Sequence, residues 1–198
     1  MSDYTVYGTP RSRAFRVIWM LEELGLPYAL KPVPPQSPEI RGVSPTGKLP
    51  TLTVGEAAIT DSSAILAYLA DTHGALTAPA GSLDRARQDA WLHRILDELD
   101  SVVWAAARHS FVLPEGERVP EVKPALKREF ARNLARIAAE IGDQPFLLGT
   151  EMTVPDIVLT HCMGWSLMAK FDPLPEPLEA YHKRMRGRPA YQRTAAAA

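Results

Sequence analysis

The stretch Ser44-Pro-Thr-Gly-Lys-Leu-Pro-Thr-Leu-Thr-Val54 ends in an apolar alternation that predicts a short strand, yet Pro50 stands where that strand should begin. Proline cannot donate to a sheet ladder, so it is normally confined to edges, first strand positions or bulges. Thr51–Val54, the Gly55-Glu56 turn and Ala57–Thr60 together predict a β-hairpin. Pro50 is thus expected at the entrance to this hairpin, where the chain joins a sheet.

The residues around this hairpin predict a small mixed sheet with helices packed on it. Tyr4–Gly8 and Tyr28–Val33 have the composition of strands, and Ser12–Leu24 has helical spacing, with charged residues such as Arg16 flanking its apolar positions. After Val33 a proline-rich segment predicts irregular structure. Asp61-Ser62 then offers a helix N-cap, and helical spacing continues up to Gly74. The order β-α-β followed by β-β-α is typical of an α/β domain.

The second part of the chain predicts helices alone. Small residues, proline and glycine between Gly74 and Ser82 indicate a linker, which we place at residues 76–82, between domains at 1–75 and 83–198. The helices are expected at Leu83–Leu113, as one long helix ending before Pro114, at Val122–Ile141, from Thr153, at Pro177–Arg186 and at Pro189–Ala195. Thr153, Pro155 and Asp156 form a capping-box-like start, which we interpret as structural.

Composition excludes several classes of function. The chain has 198 residues, 46% of them hydrophobic and 23% charged, with a net charge of -1, so no basic footprint predicts nucleic acid or an anionic membrane as a partner. One cysteine, Cys162, excludes a disulfide framework and a C-x-x-C redox pair. No export signal is visible, and charges interrupt the longest apolar region, Met152–Phe171, so a cytoplasmic protein without membrane contact is expected. Five scattered histidines predict no metal site.

Four motifs in order resemble the cytosolic glutathione transferases, and specifically a serine-type bacterial member. They are Val-Tyr-Gly-Thr-Pro-Arg-Ser12, Gly47-Lys-Leu-Pro50, Thr60-Asp-Ser62 and Thr-Val-Pro-Asp156, and they span nearly the whole chain. The resemblance implies a thioredoxin-like N-terminal domain that binds glutathione and an all-helical C-terminal domain that helps to form a second-substrate pocket. It also implies a homodimer, glutathione as co-substrate and no metal.

The resemblance answers the question raised by Pro50. It implies that the Leu49–Pro50 bond is cis and that the Leu49 backbone pairs with the cysteinyl part of glutathione. Capture of an extended peptide by exposed backbone groups is an established recognition mode. A trans proline that merely begins an edge strand is the alternative. Lys48 is a candidate contact for the glycyl carboxylate, although a lone surface lysine is usually only solvated.

Asp61 and Ser62 match the acidic-Ser pair with which the family holds the γ-glutamyl end. A helix that starts at Ser62 supplies backbone N–H groups and a positive dipole end, both suited to a carboxylate, and the Ser62 hydroxyl adds a donor. The Asp61 carboxylate would balance the ligand's ammonium group. Simple N-capping by either residue is the alternative, and it is compatible with binding.

Ser12 matches the position of the catalytic hydroxyl in serine-type members of the family. A thiol with a pKa of ~8.5 is only a few per cent ionised at neutral pH, and the thiolate is the nucleophile. A hydroxyl that donates to a charged acceptor contributes ~1.5 to 3 kcal/mol, and a helix N-terminus adds ~0.3 to 1 kcal/mol. Together they suffice to lower the thiol pKa by about two units. Capping of the first helix is the alternative role of Ser12, Thr9 is the next candidate hydroxyl, and Tyr7 ranks below Ser12.

The second-substrate pocket is expected along the long helix, where Trp104, Arg108 and Phe111 recur at helical intervals. Core packing is the alternative for Trp104. The predicted function is conjugation of the glutathione thiolate to small apolar electrophiles, as in detoxification. The alternatives are a glutathione-dependent isomerase or peroxidase, and a non-catalytic glutathione-binding scaffold.

Overall fold

The computed structural model describes residues 3–197, which divide into two compact units. The first, here called the sheet unit, contains the residues up to Ala80 together with those from Arg186 onward. The second, here called the helical unit, is Gly81–Met185. The C-terminal segment thus groups with the sheet. The domain boundaries given above, with domains at 1–75 and 83–198 and a linker at 76–82, stay a prediction.

The sheet unit is built on four strands in the order β2-β1-β3-β4. The strands are β1 (Tyr4–Tyr7), β2 (Tyr28–Lys31), β3 (Thr51–Val54) and β4 (Ala57–Thr60). β1 pairs with β2 in parallel and with β3 antiparallel, and β3 and β4 form the predicted hairpin. Val6 and Leu52 face each other across β1 and β3, and both are fully buried. The central strands β1 and β3 therefore contribute side chains to the buried core of the unit.

Helices cover the sheet. They are α1 (Ala14–Leu24), α2 (Pro38–Arg41), α3 (Ser62–His73) and, at the C-terminus, α9 (Pro189–Ala196). α1 packs against both α3 and α9. Trp19 of α1 is fully buried, and its ring lies 5.0 Å from that of Tyr191 in α9. This mixed sheet with packed helices confirms the predicted thioredoxin-like fold class.

The helical unit contains five α-helices and two π-helical turns among the described residues. They are α4 (Leu83–Ile95), a π-turn (Leu96–Asp100), α5 (Ser101–Ala107), a second π-turn (Arg108–Val112), α6 (Lys123–Ile141), α7 (Val154–Met168) and α8 (Glu176–Arg186). The predicted all-helical composition is confirmed. The predicted long helix runs without a break from Leu83 to Val112 and ends before Pro114, and its hydrogen-bond ladder widens twice, in the π-turns that begin at Leu96 and Arg108.

α7 begins as predicted, with a capping box at Thr153 and Asp156. The Asp156 carboxylate is fully buried and accepts hydrogen bonds from the Thr153 N–H at 2.8 Å, the Leu147 N–H at 2.9 Å and the Tyr181 hydroxyl at 2.7 Å. Burial raises the pKa of Asp156, and these donated hydrogen bonds counter that rise. One carboxylate thereby ties the start of α7 to α8 and to the segment after α6.

Two further local expectations need correction. The proline-rich segment after Val33 is not wholly irregular, because Ser37 caps the short helix α2 by accepting from the Ile40 N–H. The first helix begins at Ala14, two residues after Ser12. Ser12 therefore lies in the turn that leads into α1 rather than at its cap.

A charged contact attaches α9 to α1. Glu23 accepts from the Arg188 guanidinium at 2.6 and 2.8 Å and from the Trp19 indole N–H at 2.9 Å. We expect Glu23→Gln to lower the free energy of unfolding by about 1 to 2 kcal/mol, since Arg188 is partly exposed and solvent screens the loss. Hydrogen exchange of the α9 amides should accelerate.

The matched control is Asp84→Asn, which breaks the exposed pair between Asp84 and Arg87. An exposed pair of this kind contributes only about 0.5 kcal/mol. Equal effects of the two substitutions would show that the contact with Glu23 does not hold α9.

Candidate active site

The turn between β1 and α1 brings two candidate residues, Ser12 and Leu49, together at Gly8. A Cβ added to Gly8 would lie 3.7 Å from the Ser12 Oγ and 3.8 Å from the Leu49 Cβ, so both atoms approach the same point at the end of β1. The same Cβ would lie only 2.7 Å from that of Ala14, and Gly8 has a φ of 139°, so no other residue fits here without strain. Gly8 thus lets the Ser12 turn and the Leu49 segment meet.

The Ser12 hydroxyl has two backbone partners. It donates to the Thr9 carbonyl at 2.8 Å and accepts from the Ala14 N–H at 3.2 Å. Ser12 is half-buried. To donate to a bound thiolate, the hydroxyl must release Thr9. The hydrogen bond from the Ala14 N–H to the Ser12 oxygen holds that oxygen in place during this change.

The two other candidate hydroxyls near this turn lie differently. Thr9 is half-buried, and its carbonyl, not its side chain, contacts Ser12. Tyr7 is buried against Val33 and Ile40, and its hydroxyl accepts from the Lys31 ammonium at 3.3 Å. Tyr7 is thus held within the core cluster.

The Leu49–Pro50 peptide bond is cis, as the resemblance implied. β3 begins one residue later, at Thr51, and no hydrogen bond joins the Leu49 backbone to any other residue between 3 and 197. The Leu49 side chain packs on the cluster formed by Tyr7, Val33 and Ile40. Leu49 is therefore anchored by its side chain while its N–H and C=O stay available.

Lys48 is exposed, and its backbone forms local contacts. Its N–H donates to the Thr46 hydroxyl at 3.4 Å, and its carbonyl accepts from the Thr51 hydroxyl at 3.3 Å. These bonds orient the turn that leads to Pro50.

Asp61 caps α3 with its side chain. One carboxylate oxygen accepts from the N–H groups of Ser63 at 2.8 Å and Ala64 at 3.1 Å. Asp61 has a φ of 71°, in the left-handed region that costs a non-glycine residue free energy and is frequent at functional sites. The cap consumes two of the N–H groups that a helix start offers. Among the described residues the Ser62 N–H has no acceptor.

Sequence reasoning missed Arg16. It was expected on the charged flank of α1, but its side chain is fully buried, and its guanidinium donates to the Ser62 hydroxyl at 3.3 Å. Ser62 is only 3% exposed. Nothing in the local pattern around Arg16 signals this contact, because Ser62 lies 46 residues away in the chain.

The helical unit contains a groove of about 380 Å³ that includes one of the three predicted pocket residues. Phe111 lines it and is 68% exposed. The lining also includes Trp165, Met168, Phe171, Lys123, Lys127 and Lys170. Trp104 is half-buried and packs on Trp165, with 6.4 Å between the ring centroids. Arg108 is exposed and does not line the groove. Of the residues that line the groove, all within the described part of the chain, none is acidic.

Among residues 3–197, no three His, Cys, Asp or Glu side chains are grouped so that they could hold a metal ion. None of the helices described combines the length and the apolar character needed to cross a membrane.

Two families of known proteins match this chain, one over most of the sheet unit and one over most of the helical unit. The family described as Glutathione S-transferase, N-terminal domain matches residues 6–79, and Glutathione S-transferase, C-terminal domain matches residues 100–189. Glutathione S-transferase GstA of Escherichia coli O157:H7 is 28% identical over 154 residues, which cover 76% of this chain and 73% of the relative. Elongation factor 1-gamma of Trypanosoma cruzi is 30% identical over 127 residues, which cover 63% of this chain and 29% of the relative.

Solved structures agree with the family matches. A ternary complex of BphK, a bacterial GST, is 28% identical with a TM-score of 0.87 and 98% coverage of both chains. The theta class glutathione S-transferase of Xanthomonas axonopodis pv. citri with glutathione bound is 28% identical with a TM-score of 0.82, covering 100% of this chain and 99% of that one. Since the two matched segments together account for most of the 198 residues, the chain belongs to the glutathione S-transferase family of enzymes.

Proposed function

We propose that this chain is a serine-type glutathione transferase that conjugates the thiolate of glutathione to small electrophiles. The observation that carries the proposal is the convergence of the Ser12 hydroxyl and the Leu49 residue at Gly8, with both of their contact atoms within 4 Å of one point. A peptide paired with the free Leu49 backbone places its cysteinyl sulfur beside that hydroxyl. The relative crystallised with glutathione bound supports glutathione as the co-substrate.

The rest of the tripeptide is assigned to the neighbouring groups. The γ-glutamyl carboxylate is expected at the Ser62 N–H and hydroxyl, where the start of α3 adds a favourable dipole. Asp61 both caps α3 and places a negative charge near the γ-glutamyl ammonium group. Lys48, exposed beside Leu49, is assigned to the glycyl carboxylate. The sulfur is then activated by donation from Ser12, with the α1 dipole adding to the effect.

The electrophile is assigned to the aromatic surface of the helical unit, with Trp104, Arg108 and Phe111 as the proposed pocket residues. Phe111 lines the groove directly, and Trp104 supports Trp165 behind it. Three lysines and no acidic residue in the lining favour an electrophile that carries a carboxylate on an apolar body.

Truncating Phe111 tests this assignment. Phe111→Ala removes apolar contact area worth about 1 kcal/mol, so the KM for the electrophile is expected to rise roughly fivefold while the KM for glutathione stays unchanged. The matched control is Val112→Ala, since Val112 is also exposed but lies outside the groove. An unchanged electrophile KM in the Phe111 variant, measured with both a carboxylate electrophile and its neutral ester, would place the second pocket elsewhere.

A non-catalytic role is the second candidate, and one observation favours it. The chain is similar to elongation factor 1-gamma over 127 residues, which are 29% of that longer protein, so a module of this kind also occurs as one part of a larger protein. Initial rates of glutathione consumption with a panel of electrophiles, hydroperoxides and cis-dienoic acids separate the candidates. Turnover with electrophiles supports conjugation, turnover only with hydroperoxides or dienoic acids supports peroxidase or isomerase activity, and binding of glutathione without any turnover supports a scaffold.

We further infer a cytoplasmic homodimer that acts in detoxification. The support for this is the family resemblance. Light scattering coupled to size exclusion measures the oligomeric state directly, and a mass of one chain would overturn the dimer.

A further inference from the structure

Arg16 occupies a position that the proposed binding of glutathione leaves unexplained. It lies in the first turn of α1, close to Ser12 in the chain, yet its side chain is fully buried and reaches Ser62 at the start of α3. Burying a guanidinium is costly unless hydrogen bonds compensate it. A buried arginine on a helix that faces the sheet therefore indicates a specific use for its donors.

The chemistry of the contact decides how Ser62 is oriented. A guanidinium carries donors and no acceptor, so in the 3.3 Å contact Arg16 donates and the Ser62 oxygen accepts. The hydroxyl hydrogen of Ser62 must then point away from Arg16. Among the described residues no acceptor receives it, just as none receives the Ser62 N–H. Ser62 thereby keeps two donors, its N–H and its hydroxyl, for which the described residues supply no acceptor.

The neighbouring cap makes this preparation necessary. Asp61 already accepts from the Ser63 and Ala64 N–H groups, so these amides cannot hold a ligand at the same time. Among the described residues, the Ser62 amide and hydroxyl therefore remain at the start of α3, together with the buried hydroxyl of Ser63. A hydroxyl that is free to rotate would spend part of its time with its oxygen lone pairs turned toward the ligand, which repels a carboxylate. When the Ser62 oxygen already accepts from Arg16, its O–H remains the group that donates to the ligand.

We propose that Arg16 is a positioning residue for the γ-glutamyl carboxylate of glutathione: its donation to the Ser62 oxygen keeps the Ser62 hydroxyl pointing at the ligand. Arg16 itself touches neither the ligand nor the sulfur. This inference rests on the proposed function and adds to it the group that determines specificity for a carboxylate at this end of the peptide. Its effect belongs to binding, so it acts on the KM for glutathione and not on the step at the sulfur.

The test is a double-mutant cycle on Arg16 and Ser62. Arg16→Met and Ser62→Ala are each expected to raise the KM for glutathione about tenfold, with kcat at saturating glutathione unchanged within twofold. Because both residues act through one hydroxyl, the double variant should be no worse than the poorer single variant. Arg16→Lys, which keeps a charged donor, should recover part of the loss.

A glutathione analogue whose γ-glutamyl carboxylate is an amide adds a readout that a purely structural role would not move. Wild-type protein should prefer glutathione over this analogue, and Arg16→Met should lose most of that preference. The matched control is Arg193→Met, which removes an exposed arginine that also pairs with a residue of α1, Glu22, and should leave both the KM and the preference unchanged.

The outcomes separate the inference from the function on which it rests. Wild-type turnover with multiplicative losses in the double variant, or with the preference for the carboxylate retained in Arg16→Met, overturns the role of Arg16 and leaves the proposed function standing. A fall in kcat without a change in KM also overturns it. If wild-type protein neither binds nor consumes glutathione, the proposed function falls and this inference falls with it.

Discussion

Replacing Ser12 by alanine is expected to lower kcat/KM for conjugation by one to two orders of magnitude near neutral pH. A hydrogen bond to a charged acceptor contributes ~1.5 to 3 kcal/mol, and each 1.4 kcal/mol is a factor of ten. The Ser12 hydroxyl donates to the Thr9 carbonyl at 2.8 Å in the structure, and this hydrogen bond must break before the hydroxyl can donate to the thiolate. The loss should therefore lie nearer tenfold than a hundredfold.

The pH dependence identifies the cause of this loss. If Ser12 stabilises the thiolate, its removal raises the pKa of bound glutathione, so the ultraviolet absorbance of the thiolate should appear at higher pH in the variant. The deficit in rate should then shrink as the pH rises, because the thiol ionises without help in alkaline solution. A deficit that is constant across pH would assign Ser12 to positioning alone.

Thr9 provides the comparison within the same turn. Thr9→Val removes the other candidate hydroxyl while preserving the size of the side chain and the carbonyl that Ser12 contacts. We expect wild-type thiolate absorbance and nearly wild-type rates in this variant. The opposite result, a loss in Thr9→Val with none in Ser12→Ala, would make Thr9 the activating hydroxyl.

Replacing Asp156 by alanine is expected to destabilise the helical unit by at least 3 kcal/mol. The carboxylate is the common acceptor for the Leu147 N–H, the Thr153 N–H and hydroxyl, and the Tyr181 hydroxyl, at distances of 2.7 to 3.0 Å. Each buried donor left without an acceptor costs about 1 to 3 kcal/mol, and several lose their partner together. Chemical denaturation should show a midpoint at a lower denaturant concentration. In the extreme case, the yield of soluble protein should fall.

Two further variants keep this prediction testable if Asp156→Ala does not fold. Asp156→Asn retains the size and one acceptor oxygen, so it should be destabilised by less than the alanine variant. Asp143→Asn, at an exposed aspartate in the same unit, should change the free energy of unfolding by no more than about 0.5 kcal/mol. If Asp156→Asn and Asp143→Asn unfold at the same denaturant concentration, the hydrogen bonds of Asp156 do not stabilise the unit.

Local signals explain which elements were predicted correctly. The hairpin of Thr51–Val54 and Ala57–Thr60 appears with the predicted bounds, and α3 and α7 begin where their caps predicted. Turn residues, caps and strand alternation act between neighbours in the chain, so a sequence records them directly. The first helix begins at Ala14, two residues later than predicted, and the short helix α2 was not predicted.

Residues whose roles depend on distant partners could not be predicted in the same way. Phe111 lines a groove, but Arg108, three residues earlier, does not, because a π-turn from Arg108 to Val112 changes the rotation of the side chains along the helix. The helical interval assumed for Trp104, Arg108 and Phe111 holds only for an uninterrupted α-helix. Such an interruption follows from packing within the unit and leaves no local pattern.

The sequence by itself determined the order of strands and helices, the two caps built on Asp61 and Asp156, and the family to which the chain belongs, because each of these depends on residues a few positions apart. Only the tertiary structure decided that Asp61 uses its carboxylate on its own helix, that the Leu49 backbone has no hydrogen bond to another residue between 3 and 197, and that Arg16 is buried against Ser62. The physical reason is that a hydrogen bond between residues 46 positions apart depends on how α1 and α3 pack, and not on the sequence around either residue.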